Sequence, residues 1–209
     1  MEERKFVQLK KEELNIREFI KNDLGKGKVS KVTIEYTPVG EKVIMRTSKP
    51  GWVIGRGGER IDSLTQLLKK KFNFENPQIE IQEVKERNLD AQTVADEIAV
   101  SLENLGSLKF KVIAYRMLQN ILNAGAKGVE LKLSGKLPSA RARTWRFKKG
   151  YLKKVGDSSK AVDKAQAIAQ TKSGTVGIEV SILHPDTKIH DHIDLNDKKI
   201  VEEVENDKV

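Results

Sequence analysis

Between Pro50 and Phe72 lies the part of the chain best suited to chemistry, and its centre, Gly55-Arg56-Gly57-Gly58, sets glycines at both ends of a four-residue loop. Glycine has no Cβ to hold another backbone away, and it takes up positive φ in a turn at little steric cost. A sugar-phosphate chain can lie against such a loop. Ile61, Leu64, Leu68 and Phe72 then recur at helical spacing. That places the last glycine at a helix N-terminus, where unpaired N–H groups and the helix dipole favour phosphate oxygens. Arg56 and Arg60 add full positive charges there, and Lys49 stands just before the stretch. The implied chemistry is the holding of a polyanion backbone.

Competing glycine motifs fail on the letters. A dinucleotide-binding loop would need glycine where Arg60 stands, and a nucleotide-triphosphate loop would need Lys-Ser or Lys-Thr after the last glycine. The run Val53-Ile54-Gly55-Arg56-Gly57-Gly58, with Ile61 three positions on, leads into an amphipathic helix and then the alternating Gln78-Ile79-Glu80-Ile81-Gln82. This combination resembles the KH domain, whose glycine loop clamps about four nucleotides of single-stranded nucleic acid.

The elements that must position the loop are also legible. Ile16, Phe19, Ile20 and Leu24 share one helix face, and Gly25 and Gly27 end that helix. Val32, Ile34 and Tyr36 alternate as a strand, residues 38–41 turn the chain, and residues 42–47 run back. The predicted order is helix, strand, strand, loop with helix, strand, and among KH domains it is the type II arrangement that puts a helix and hairpin first. Asp90 then reads as an N-cap for a helix carrying Val94, Ile98, Leu102 and Leu105 up to Gly106. It either packs on the first sheet or bridges to the next part of the chain.

A second domain is expected from Leu108. Phe110, Ile113, Met117 and Ile121 predict a helix with Lys111 and Arg116 off its apolar stripe. Val129, Leu131 and Leu133 alternate as a strand; so do Trp145 and Phe147, against Arg146 and Lys148. Residues 162–171 fit a helix or a strand. Ser173-Gly174 followed by Val176, Ile178, Val180 and Ile182 favours a hairpin. The fold class is therefore α+β: a KH domain with its following helix over 1–107, a basic α+β domain over 108–185, and an acidic tail over 186–209 expected to lack fixed structure.

The second domain carries its own charge signal. From Leu131 to Gly156 there is no acid, while Lys132, Lys136, Arg141, Arg143, Arg146, Lys148, Lys149, Lys153 and Lys154 supply nine positive charges. A solvated face normally mixes signs, so this window reads as a nucleic-acid surface. Trp145 and Phe147 read as core. The three histidines, His184, His190 and His192, all fall near the C-terminus, and no catalytic set or metal site can be assembled from them; no cofactor is expected.

Composition agrees. The 209 residues carry +9, resolved as −4 in the tail and +13 elsewhere. The chain has no cysteine, which excludes disulfides, thiolate metal sites and cysteine nucleophiles. The charged start, Met1-Glu2-Glu3-Arg4-Lys5, resembles no signal core, and no apolar run approaches the ~20 residues of a spanning helix, so a cytoplasmic protein is expected.

Taken in order, Glu3-Arg4-Lys5-Phe6-Val7, the glycine loop, Asn123-Ala124-Gly125-Ala126-Lys127-Gly128-Val129-Glu130, Ser134-Gly135-Lys136-Leu137, Arg141-Ala142-Arg143-Thr144-Trp145 and Gly174-Thr175-Val176-Gly177-Ile178 resemble the small-subunit ribosomal protein three family in its archaeal or eukaryotic form. The resemblance covers residues 1 to 185. It implies a place in the head of the small ribosomal subunit, with ribosomal RNA and neighbouring head proteins as partners, and a share in lining the channel through which mRNA enters. It points to Lys49, Gly55, Arg56, Gly57, Gly58, Arg60, Lys111, Arg116, Lys136, Arg141, Arg143, Arg146, Lys148 and Lys149 as RNA-binding residues. Two departures stand out: Pro138-Ser139 replaces the usual basic residue and glycine, and Val112 follows Lys111 where the family tends to carry adjacent basic residues. Two other classes of function remain. A free-standing KH regulator of mRNA would use the same loop, and eukaryotic relatives have been associated with cleavage at abasic DNA sites, which needs only an amine to form a Schiff base.

Overall fold

The computed structural model describes residues 2–37, 40–72, 74 and 76–187. The expected acidic tail, with His190 and His192, lies almost wholly outside the described residues, as do turn residues 38 and 39.

The first domain runs α1 (Glu2–Leu24), β1 (Lys31–Thr37), β2 (Gly40–Thr47), α2 (Pro50–Ile54), α3 (Glu59–Phe72) and β3 (Gln78–Glu83). Its sheet has the order β1-β2-β3, with β1 and β2 antiparallel and β2 and β3 parallel. The predicted order holds, with one addition: α2 is five residues, too short to leave a periodic trace, and it starts on Pro50, which suits a first helical turn. Ile16, Ile20 and Leu24 of α1 pack with Val43 and Met45 of β2 and Leu64 and Leu68 of α3 in one core. Burying one such side chain contributes about 1.5–3 kcal/mol.

The second domain comprises α4 (Ala91–Leu105), α5 (Phe110–Asn123), β4 (Gly128–Gly135), β5 (Arg143–Gly150), β6 (Asp163–Thr171) and β7 (Gly174–Leu183). Its strands form an antiparallel sheet of order β5-β4-β7-β6. The ambiguous segment 162–171 is a strand, hairpinned to β7 as predicted. Asp90 caps α4, its carboxylate accepting from Thr93 N at 2.8 Å.

The sequence leaves α4 either on the first sheet or bridging to the next part of the chain. Its stripe of Val94, Ile98 and Leu102 is buried with Leu131, Val180 and Ile182 in the second core, not on the first sheet. By core membership the second domain begins near Leu89. An apolar stripe states that a helix is buried, and only the tertiary fold states against what.

The two domains meet along a polar seam. Gly27 N donates to Asp96 at 3.0 Å, Ser30 Oγ donates to Asp90 at 2.6 Å, and Lys26 Nζ donates both to Glu103 at 2.7 Å and to the carbonyl of Ile168 at 2.8 Å. Burial pushes the Asp96 carboxyl up, against hydrogen bonds from Gly27 and Gln92. At the far end of α4 the hydrogen bond from Lys26, then that from the Gln170 backbone, holds Glu103 below the usual carboxylate range.

Candidate nucleic-acid interface

Gly55 closes α2, its N–H donating to Gly51 O at 3.1 Å, and turns the chain at φ 75°. A Cβ here would meet the Cβ of Arg60 at 2.8 Å, so this glycine is required by packing as well as by φ. Gly57 and Gly58 differ. Both have positive φ, 61° and 87°, and among the described residues no atom beyond the adjoining ones lies within 4 Å of the position a Cβ would take. Their missing side chains leave space for something outside the chain. The loop is a single 3-10 turn closed by Glu59 N on Arg56 O, after which α3 begins.

Around the loop lies a groove of about 850 Å³, lined by Gly51, Trp52, Gly55, Arg56, Glu59, Arg60 and Ser63. Arg56 and Arg60 are exposed, and Arg60 Nη1 also donates to the carbonyl of Trp52 at 3.1 Å, which braces α2 against α3. The expected loop residues are thus brought together. Glu59 sits at the start of α3 and complements its dipole. Lys49 is exposed but lines a neighbouring cleft, with Trp52 between the two.

The second basic surface is organised differently from its reading as nine uncompensated charges. Register pairs Lys132 on β4 with Glu179 on β7, and their side chains meet at 2.8 Å. Glu130, one position before the acid-free window and only 3% exposed, takes Arg146 at 3.0 Å and Lys154 at 2.8 Å. Three of the nine basic side chains are therefore ion-paired within the protein, against two acids. A window along the chain counts sequence neighbours, whereas a sheet makes neighbours of residues 47 positions apart.

What remains for an outside partner is a smaller set. Lys136, Arg141, Arg143, Lys148 and Lys149 are exposed and form no ion pair among the described residues. Strand alternation sends Lys148 to the outer face with Arg146, while Arg143 and Lys149 share the face of Trp145 and Phe147. The charges thus flank both sides of β5, which is an edge strand, and edge strands use charged side chains to block pairing with another chain. On α5, Arg116 is exposed, and Lys111 Nζ rests 4.9 Å from the Trp145 ring centroid. Trp145 and Phe147 are core-side as expected: both contact Phe110, and Trp145 Nε1 donates to Leu137 O at 3.0 Å.

Among the described residues no group of three or more histidines and acids could hold a metal ion, and no helix is long and apolar enough to cross a membrane.

Comparison with known proteins gives the same division. Residues 15–89 match the KH domain, and residues 98–182 match the C-terminal domain of ribosomal protein S3. The chain is 44% identical over 208 residues to the small ribosomal subunit protein uS3 of Methanocaldococcus jannaschii, spanning 97% of this chain and 99% of that one. It is 40% identical to the protein of the same name from Archaeoglobus fulgidus, over 95% of this chain and 86% of that one. With the counterpart in Methanococcus aeolicus the figures are 36% identity, 98% and 100%.

Proposed function

The chain belongs to the small ribosomal subunit protein uS3 family, and from that premise we propose how its RNA-facing surfaces divide the work of a structural constituent of the cytoplasmic small ribosomal subunit. The KH domain binds ribosomal RNA through the Gly55–Gly58 loop. Arg56 and Arg60 supply charge, and Lys49 extends it. The second domain, through Lys136, Arg141, Arg143, Lys148 and Lys149, with Lys111 and Arg116 on α5, faces mRNA in the channel where it enters the subunit. Arg146 is in this reading mainly a counter-charge for Glu130. The role is one of holding, with no catalytic residue.

The observation that carries the reading is the space beyond Gly57 and Gly58. Nothing beyond the adjoining residues occupies it, and glycine at both positions keeps the positive-φ turn free of the side chains that would hold another backbone away.

Crosslinking with sequencing of bound RNA, together with sedimentation of a native lysate at low salt, tests the proposal. One dominant small-subunit ribosomal RNA and co-sedimentation with small subunits are expected. A broad population of mRNAs off the ribosome would instead make the chain a free-standing regulator.

A further inference from the structure

Beside the clamp, where the two domains meet, lies a second cleft of about 310 Å³, lined by Lys28, Lys49 and Trp52 of the first domain and by Arg87, Asp96 and Glu97 leading into and along α4. That volume falls at the lower end of small-ligand sites. Trp52 lines both this cleft and the groove of the glycine loop, so its indole is the ridge between them.

The state of that indole is unusual. The chain has two tryptophans. Trp145 has a hydrogen-bond partner for its N–H and an aromatic neighbour in Phe110. Trp52 is 58% exposed, α2 buries only Val53, and the group against its ring is the ammonium of Lys28, 5.2 Å from the centroid. The large apolar face is thus not used for packing.

The charges around it are selective. Arg87 is paired with Glu97 at 2.9 Å, and Asp96 is directed to Gly27 N and Gln92. Lys28 and Lys49 have no acidic partner among the described residues, so the cleft that Trp52 lines holds two unneutralised lysines, with the ammonium of Lys28 over the ring. Their backbones are fixed: Thr47 Oγ1 donates to Lys28 O and accepts from Lys49 N at 3.0 Å. One threonine therefore sets the spacing of both lysines beside Trp52. An exposed aromatic face in a cleft with two unpaired lysines suits an unpaired nucleotide, with the base stacked on the ring and the adjoining phosphates on the cations.

We propose that Trp52 is a stacking platform for one unpaired nucleotide of the RNA strand held by the glycine loop, with Lys28 and Lys49 binding the phosphates on either side. Without RNA, Lys28 rests on the indole; a base taking that face releases the ammonium to a phosphate. The inference rests on the reading of Gly55–Gly58 as an RNA clamp and extends its track by one base into the cleft between the domains.

The test uses the full chain and single-stranded RNA octamers, read by filter binding and tryptophan fluorescence. Octamers should quench the fluorescence of the native chain but not of Trp52→Phe. Trp52→Ala should weaken binding about 5- to 100-fold, Trp52→Phe much less, and neither should change the slope of log Kd against log salt. Lys49→Ala should instead lower that slope by about 0.7. Gly57→Asp separates the two readings. If it abolishes binding while Trp52→Ala binds like the native chain, the clamp stands and the platform is wrong. If neither variant alters binding, the clamp fails and the platform with it. An acidic oligopeptide that quenched the fluorescence as well as RNA does would also overturn the proposal, since the cleft would then answer to negative charge alone and not to a stacked base.

Discussion

Arg146 on β5 reaches diagonally to Glu130 on β4, with 3.0 Å between Nε and Oε1, and the acid is 3% exposed while the arginine side chain is 56% exposed. The asymmetry decides what the pair does. A half-exposed arginine loses little by being unpaired, but a buried carboxylate without a cation carries a large desolvation penalty. Lys154, 2.8 Å from the same oxygen, shares the task.

Arg146→Ala should therefore cost only about 1 kcal/mol, because Lys154 remains, whereas Arg146→Ala with Lys154→Ala should cost about 3–5 kcal/mol. Adding Glu130→Gln to the double variant should recover most of the loss. Urea denaturation measures all three. Equal losses for the single and double variants would show that the carboxylate is satisfied by other groups.

The same distinction separates stability from RNA binding on β5. Arg143, Lys148 and Lys149 have no ion pairs among the described residues to lose, so changing all three to alanine should leave the urea midpoint within about 0.5 kcal/mol per site of the native value. Toeprinting on reconstituted subunits should show weaker retention of unrelated mRNAs alike, and filter binding a salt slope lower by about 0.7 for each phosphate contact removed. Failure of this variant to enter subunits would reassign those charges to ribosomal RNA.

At the clamp, space separates the glycines. Gly57→Asp meets no atom of the protein, and aspartate tolerates the left-handed region better than most residues, so a loss of about 1 kcal/mol is expected, with RNA binding abolished by charge. Gly55→Ala adds the contact with Arg60 and should destabilise more. Gly128→Ala should be worst, since its Cβ would fall 1.8 Å from the carbonyl oxygen of Tyr151. Thermal melts rank the three, and a different order would mean that the backbone relaxes at these sites.

Where the sequence was legible, the signal was local and repeated. The stripe Ile16, Ile20, Leu24 and the alternation Val176, Ile178, Val180 each express one period over several residues, and Asp90 caps the helix it precedes. Relations between distant residues were not legible. Nothing near Lys132 in the chain announces Glu179, and nothing in α4 tells which core receives it. Exposure was hidden too: Trp52 stands beside Val53 and Ile54 and Trp145 between Thr144 and Arg146, yet it is the first that the fold leaves on the surface.

The seam along α4 makes the last prediction, because its two acids shift in opposite directions. Burial raises Asp96 above the 3.8 of a free aspartate, outweighing the hydrogen bonds from Gly27 and Gln92 and the charges of Lys21 and Lys26. The folded state then binds more protons than the unfolded state just above pH 3.8, so the contribution of Asp96 is greatest below that pH and is lost as pH rises through its raised value. Glu103 lies below the 4.5 of a free glutamate through Lys26 and Gln170, so its contribution is present above 4.5 and is lost as pH falls through its lowered value. Relative to Asp96→Asn, which keeps an acceptor for Gly27 N–H, the native chain should lose stability as pH rises from 3.8 through the raised value of Asp96. Relative to Glu103→Gln it should gain stability as pH rises from the lowered value of Glu103 to 4.5. Urea midpoints of the three chains over that range decide the matter. A native chain that gained stability over Asp96→Asn with rising pH would show that the hydrogen bond from Gly27 outweighs burial, and that the charged carboxylate holds the two domains together.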